Sequence, residues 1–221
     1  MSLKNARPNS SDTALTWVRD ALKASFPTTT VQVRRPAVVV NFAGGAERWE
    51  IVPAFRQKSD NASPVYWIPG AATGWLDSAP LDHIKYVNEV NSKAGIIGGA
   101  KKLARLAKAW KYSCNVPISS FYLEMRAAKY METEKSFEPI WDVARFLKSL
   151  HDGGLANMND PKGLAGRFAP CSSTATWIDA YSKLSTAATR ANKALEAQRA
   201  NNPVEAFHYL NLLFGGTFPS R

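Results

Sequence analysis

Two strand-like runs meet at a Gly-Gly turn in the first quarter of the chain. Ala37-Val38-Val39-Val40-Asn41-Phe42 comes before Ala43-Gly44-Gly45-Ala46, and Glu47-Arg48-Trp49-Glu50-Ile51-Val52-Pro53-Ala54-Phe55 comes after it. β-branched and apolar residues on both sides of such a turn predict an antiparallel hairpin. Side chains alternate along a strand, so Glu50 lies on the face opposite Trp49 and Ile51. A lone strand carboxylate is either a rim charge facing water or a metal ligand, and position alone favours the rim charge.

The hairpin has helical and strand-like neighbours. Ser10-Ser11-Asp12 is a helix-cap cluster, and Leu15, Val18, Leu22 and Phe26 follow at helical spacing until Pro27. Thr28 to Phe42 reads as one or two strands, broken near Arg34-Arg35-Pro36 because proline interrupts a ladder. Arg56 to Pro64 is polar and loop-like, Val65 to Pro69 is a short strand, and Gly70 to Gly74 is a turn. Tyr66 and Trp67 could stack on a base but read better as core. Asp77 falls in a turn and Asp82 at the start of the helix that opens with Pro80.

Beyond residue 80 the pattern is helical. Lys101-Lys102-Leu103-Ala104-Arg105-Leu106-Ala107-Lys108-Ala109-Trp110-Lys111 holds five cations and no acid. Leu103, Leu106, Ala107 and Trp110 form its buried stripe, and Lys101, Arg105 and Lys108 share another face. A solvated surface mixes signs, so a face without acids points to an anion site. Ser119-Ser120 starts the next helix after Pro117. A serine there serves as a cap, or helps to bind phosphate at the positive end of the helix dipole. Further helices are predicted from Phe137 to Leu150, from Trp177 to Gln198 and from Pro203 onward, with Phe207, Leu210 and Leu213 inward. Asp160 to Gly163 is a turn. The fold class is α+β: a β-rich part over 1–80, then an all-helical part over 81–221.

Charge narrows the function. The 221 residues carry a net charge of +10, which favours polyanionic partners such as nucleotides or nucleic acid. No apolar run approaches the roughly 20 residues that span a bilayer, so no membrane is expected. Cys114 and Cys171 have no CxxC partner and no neighbouring histidine, which fits reduced thiols in a cytoplasmic protein. His83, His151 and His208 are scattered, and their spacing supports neither a zinc site nor a catalytic triad.

Several motifs then stand in a telling order: the Glu50 strand with Val52-Pro53-Ala54; Tyr66-Trp67-Ile68-Pro69; Trp75 and the Pro80–His83 helix start; Leu106-Ala107-Lys108-Ala109-Trp110; Ile118-Ser119-Ser120-Phe121 with Leu123-Glu124; and Phe214-Gly215 with Phe218-Pro219. This order resembles the bacterial CD-NTase family of the SMODS type, nucleotidyltransferases similar to cyclic GMP–AMP synthase and oligoadenylate synthase that make cyclic oligonucleotide signals in anti-phage defence. The resemblance implies a polymerase-β-like palm, here partial, followed by a helical domain like the C-terminal domain of oligoadenylate synthase, with the active site in the cleft between. It implies joining of nucleoside triphosphates such as ATP with two Mg²⁺ ions, or Mn²⁺ in their place. It makes Glu50 the third of three metal-binding carboxylates, and Lys108 and Ser120 contacts to the triphosphate. Lys101 and Arg105 join them as phosphate-binding candidates on charge.

The chain also departs from that pattern. The family places a Gly-Ser loop and a D-x-D pair upstream of the first helix seen here. No Gly-Ser dipeptide and no D-x-D occur in the sequence. One carboxylate cannot hold two Mg²⁺ ions, which need near-octahedral oxygen ligation. The expectation is therefore an N-terminally incomplete enzyme that is inactive alone and partnered by nucleoside triphosphates, and by nucleic acid or a completing N-terminal chain. The other reading is a non-catalytic nucleotide- or nucleic-acid-binding module on the same fold.

Overall fold

The computed structural model describes residues 6–57, 63–70 and 74–218. The middle of the Arg56–Pro64 loop, the centre of the Gly70–Gly74 turn and Pro219 lie outside the described residues. The protein is α+β, with small antiparallel sheets followed by a helical region. It divides into two compact units, one running to Asp82 and including Lys162–Gly166, the other comprising His83–Pro161 and the residues from Arg167 on.

In the first unit, helix α1 (Ser11–Ser25) starts at Ser10, whose hydroxyl accepts from the Asp12 amide at 3.2 Å. Strands β1 (Thr30–Arg34), β2 (Ala37–Phe42) and β3 (Glu47–Ile51) form one antiparallel sheet in that order. The break near Pro36 separates β1 from β2, across a cis Arg35–Pro36 bond. The β2–β3 connection is a short 3-10 turn over Ala43–Gly45, where Gly44 (φ +66°) and Gly45 (φ +100°) occupy the left-handed region. In the β2–β3 register, Val38 faces Ile51, Val39 faces Glu50 and Val40 faces Trp49. Leu15 and Val18 of α1 pack with Val31, Val38 and Val40, and Leu22, Phe42 and Ile51 border them. This is the apolar face that alternation predicts. Glu50 is on the other face, on edge strand β3.

A second antiparallel sheet contains β4 (Phe55–Arg56), β5 (Tyr66–Pro69) and β6 (Trp75–Ser78). Here one sequence expectation is corrected. Asp77 is on strand β6, opposite Trp67, and not in a turn. Its carboxylate accepts from the Gln57 side-chain amide. The four residues Trp75–Ser78 do not alternate cleanly in polarity, because Leu76 is exposed; pairing with β5 defines the strand. Trp67 is covered by the Arg7 guanidinium, 4.4 Å from its ring centroid. Arg35 ties this unit together: it donates to the Gly70 carbonyl (2.9 Å) and the Ser11 hydroxyl (3.1 Å), and pairs with Asp12.

Helix α2 (Pro80–Asn91) begins at the boundary between the units. The second unit continues with α3 (Gly99–Ser113), α4 (Ser120–Met131), α5 (Pro139–Asp152), α6 (Thr174–Arg199) and α7 (Pro203–Leu213). Leu103 and Trp110 of α3, Tyr122 and Leu123 of α4, Phe146 and Leu147 of α5, and Leu184 of α6 share one buried core. Strands β7 (Met158–Asn159) and β8 (Arg167–Phe168) pair across the turn expected at Asp160–Gly163. Two residues per strand give no periodicity to read. Buried Asp160 lies 3.2 Å from the His83 imidazole, which touches the Phe121 and Phe168 rings.

Candidate functional site

The local chemistry of the α3 and α4 sequences explains how they present polar groups to each other. Gly98, in the left-handed region (φ +83°), precedes α3. The Ala-, Lys- and Leu-rich run that follows is strongly helix-forming. Its apolar stripe, with Leu103, Ala107 and Trp110 buried, turns the basic residues outward. Val116 and Ile118 are buried in the short connection to α4. The backbone amide of Ser119 donates to the Pro170 carbonyl at 2.7 Å, and its hydroxyl caps α4 by accepting from the Tyr122 amide at 3.3 Å.

Ser119 is thus the cap, and the next hydroxyl is left for other work. Ser120 Oγ accepts from Lys111 Nζ at 2.7 Å and lies 3.3 Å from the Tyr112 hydroxyl. One turn further along α4, Glu124 pairs with Lys108. Two rungs therefore join the helices: Lys111 with Ser120, and Lys108 with Glu124. Lys108 and Ser120 are on facing helices, as a phosphate pocket between them requires. The reading of the α3 face as free of acid needs amending. Periodicity within one helix does not show what the neighbouring helix supplies, and α4 supplies Glu124.

The other basic candidates are further along α3. Arg105 is one turn before Lys108, and Lys101 two turns before it. At about 1.5 Å of rise per residue, Lys101 is roughly 15 Å along the axis from Lys111. The Lys101 and Arg105 side chains are exposed and make no ion pair among the described residues. Sequence reasoning did not single out Lys111, Tyr112 or Glu124. The signal was present: Lys111 follows Lys108 by three residues, and Glu124 follows Ser120 by four, which puts each pair on one helical face.

Glu50, in the first unit, pairs with Arg48 at 2.5 Å, with side-chain exposures of 57% and 51%. Arg48 and Glu50 share a face because they are two residues apart on β3. Val39, their neighbour on β2, is buried. Among the described residues, no three His, Cys, Asp or Glu side chains gather into a possible metal site. A Mg²⁺ pair does not fit a single exposed, ion-paired carboxylate. Burial pushes the Cys114 thiol up, and pushes Cys171 up to about 11. No helix among the described residues is long and apolar enough to cross a membrane.

Comparison with known proteins agrees with the motif order. Residues 1–91 match the model of the Second Messenger Oligonucleotide or Dinucleotide Synthetase domain (SMODS) family. No curated protein sequence matches the chain. Among solved structures, Escherichia coli MS115-1 CdnC with ATP is similar with a TM-score of 0.68 and 20% identity, over 100% of this chain and 76% of that one. The Bradyrhizobium diazoefficiens CD-NTase CdnG in complex with GTP gives 0.72 and 14%, over 98% and 74%. Vibrio cholerae DncV, a cyclic AMP-GMP synthase in complex with the linear intermediate pppA(3′,5′)pG, gives 0.67 and 15%, over 90% and 57%. At these identities the structural matches establish the fold.

Proposed function

We propose, for a chain whose residues 1–91 match the SMODS domain model and whose fold is that of the CD-NTases, that the α3–α4 face binds the triphosphate of a nucleoside triphosphate. In this reading the protein is a nucleotidyltransferase of the type that builds oligonucleotide second messengers. Residues 1–80 serve as its palm and 81–221 as its helical domain. Lys111 and Ser120 contact the phosphates directly. Lys108 joins them from the next rung, and Arg105 and Lys101 steer the anion in by long-range attraction. Relatives bind nucleotides: CdnC is known with ATP and CdnG with GTP.

The observation that carries the reading is the Lys111–Ser120 rung. A charged donor and a hydroxyl converge within 2.7 Å at the positive end of α4. That combination suits a phosphate oxygen on charge, hydrogen bonding and dipole together.

Turnover is a separate matter. Among the described residues no three acids gather into a metal site, and Glu50 is engaged by Arg48. We therefore expect this polypeptide alone to bind nucleoside triphosphates without joining them. That pairing also favours the second reading, a nucleotide-binding module without chemistry. The two separate when a chain supplying the other carboxylates is added: only the first gains activity.

Titration with ATP in the absence of metal tests the binding site. Lys111→Ala is expected to lose about 1.5–3 kcal/mol of binding, as for one charge-assisted hydrogen bond. Unchanged affinity in Lys111→Ala would sink the assignment.

A further inference from the structure

We propose that Glu124 sets the selectivity of this site by holding Lys108 in a neutral pair, so that Lys111 is the lysine that meets an incoming phosphate first. This rests on the reading of the α3–α4 face as a phosphate site.

Lys111 gives its hydrogen bond to a neutral hydroxyl, so its charge stays uncompensated. Lys108 gives its own to a carboxylate, which cancels it. The two rungs therefore carry one net positive charge, where Lys108 and Lys111 without Glu124 would carry two. Among the described residues the Glu124 carboxylate makes no hydrogen bond or ion pair other than that with Lys108. The pair is open to solvent, with 29% of the Lys108 and 39% of the Glu124 side chain exposed. A pair about one third exposed is weak enough for a polyanion to disrupt.

Position then gives Glu124 a discriminating role. It follows Ser120 by one helical turn, a rise of about 6 Å. A short anion seated on Lys111 and Ser120 stays clear of the carboxylate. A longer one extends along the face and meets it, or draws Lys108 away from it. The cost of a like charge grows as the distance closes. Glu124 thus penalises each added phosphate, and Lys108 is the reserve charge that becomes available only when the pair opens.

Metal-free calorimetry on the whole chain tests this with inorganic pyrophosphate and tripolyphosphate as probes. Glu124→Gln is expected to bind tripolyphosphate at least five-fold tighter, with a smaller gain for pyrophosphate. Glu124→Asp, which keeps the charge, should behave like the parent. Lys108→Ala should cost less than three-fold in the parent but at least five-fold in the Glu124→Gln background. A structural role alone would shift the melting midpoint and leave that difference between backgrounds at zero. Equal or weaker tripolyphosphate binding by Glu124→Gln would overturn the proposal, as would an equal cost of Lys108→Ala in both backgrounds. If the parent and Lys111→Ala bind neither probe, the phosphate site itself is wrong, and the role of Glu124 falls with it.

Discussion

Adjacent serines at the start of α4 do different work. Ser119 closes the helix end through its hydroxyl, and Ser120 turns its hydroxyl to Lys111. Substitution should separate the two. Ser119→Ala is expected to cost about 1 kcal/mol of stability and leave ATP affinity unchanged. Ser120→Ala should weaken ATP binding and leave the urea midpoint where it was. The sequence could not tell which serine caps, because both residues are good caps and α4 can start one position either way. The thiols allow a second check at this scale. Cys171 is pushed up to about 11 chiefly by burial, so it is mostly protonated near neutrality. Its alkylation by iodoacetamide should be slow at pH 8 and rise with pH until about 11. Fast alkylation at pH 8 would contradict the burial that the fold assigns to it.

Among elements, the amphipathic helices were legible from periodicity, and the hairpin from its Gly-Gly turn. Leu15 and Val18 of α1, and Leu103, Ala107 and Trp110 of α3, are buried where their spacing puts them. What periodicity missed was pairing. Asp77 belongs to β6 only because β5 lies beside it, and Lys108 is neutralised only because α4 brings Glu124. Both facts depend on residues distant in sequence, and a one-dimensional pattern does not carry them. The Phe214-Gly215 motif also has a packing reason. Gly215 has φ +64°, and a Cβ there would be 2.8 Å from the Ser113 carbonyl oxygen at the end of α3. Thr217 continues the contact through a 3.2 Å hydroxyl pair with Ser113. Gly215→Ala should therefore destabilise the protein by roughly 1–3 kcal/mol, from backbone strain and displacement of the segment after α7. Equilibrium urea unfolding measures this directly, and an unchanged midpoint would show that the segment does not pack on α3.

At the scale of the whole molecule, the order of elements and the charge were the informative features. A β-rich beginning and a largely helical remainder specified an α+β protein, and the net charge of +10 set the expectation of anionic partners. Of the proposed site, the sequence offered Lys108 and Ser120 as candidates but not the Lys111–Ser120 contact. Glu50 shows why. Its position on β3 follows from alternation, but whether a strand carboxylate binds metal depends on the acids that stand next to it. In this chain Arg48 stands next to it. Incubation of the purified polypeptide with nucleoside triphosphates and Mg²⁺ or Mn²⁺ is expected to release no pyrophosphate. Sustained release would show that the 221 residues hold a complete catalytic set after all. The most direct measurement concerns binding and needs no turnover: a crystal structure of the chain with ATP. The triphosphate is predicted to sit within hydrogen-bond distance of Lys111 Nζ and Ser120 Oγ. Nucleotide bound elsewhere, with that lysine and serine still joined to each other, would contradict the account.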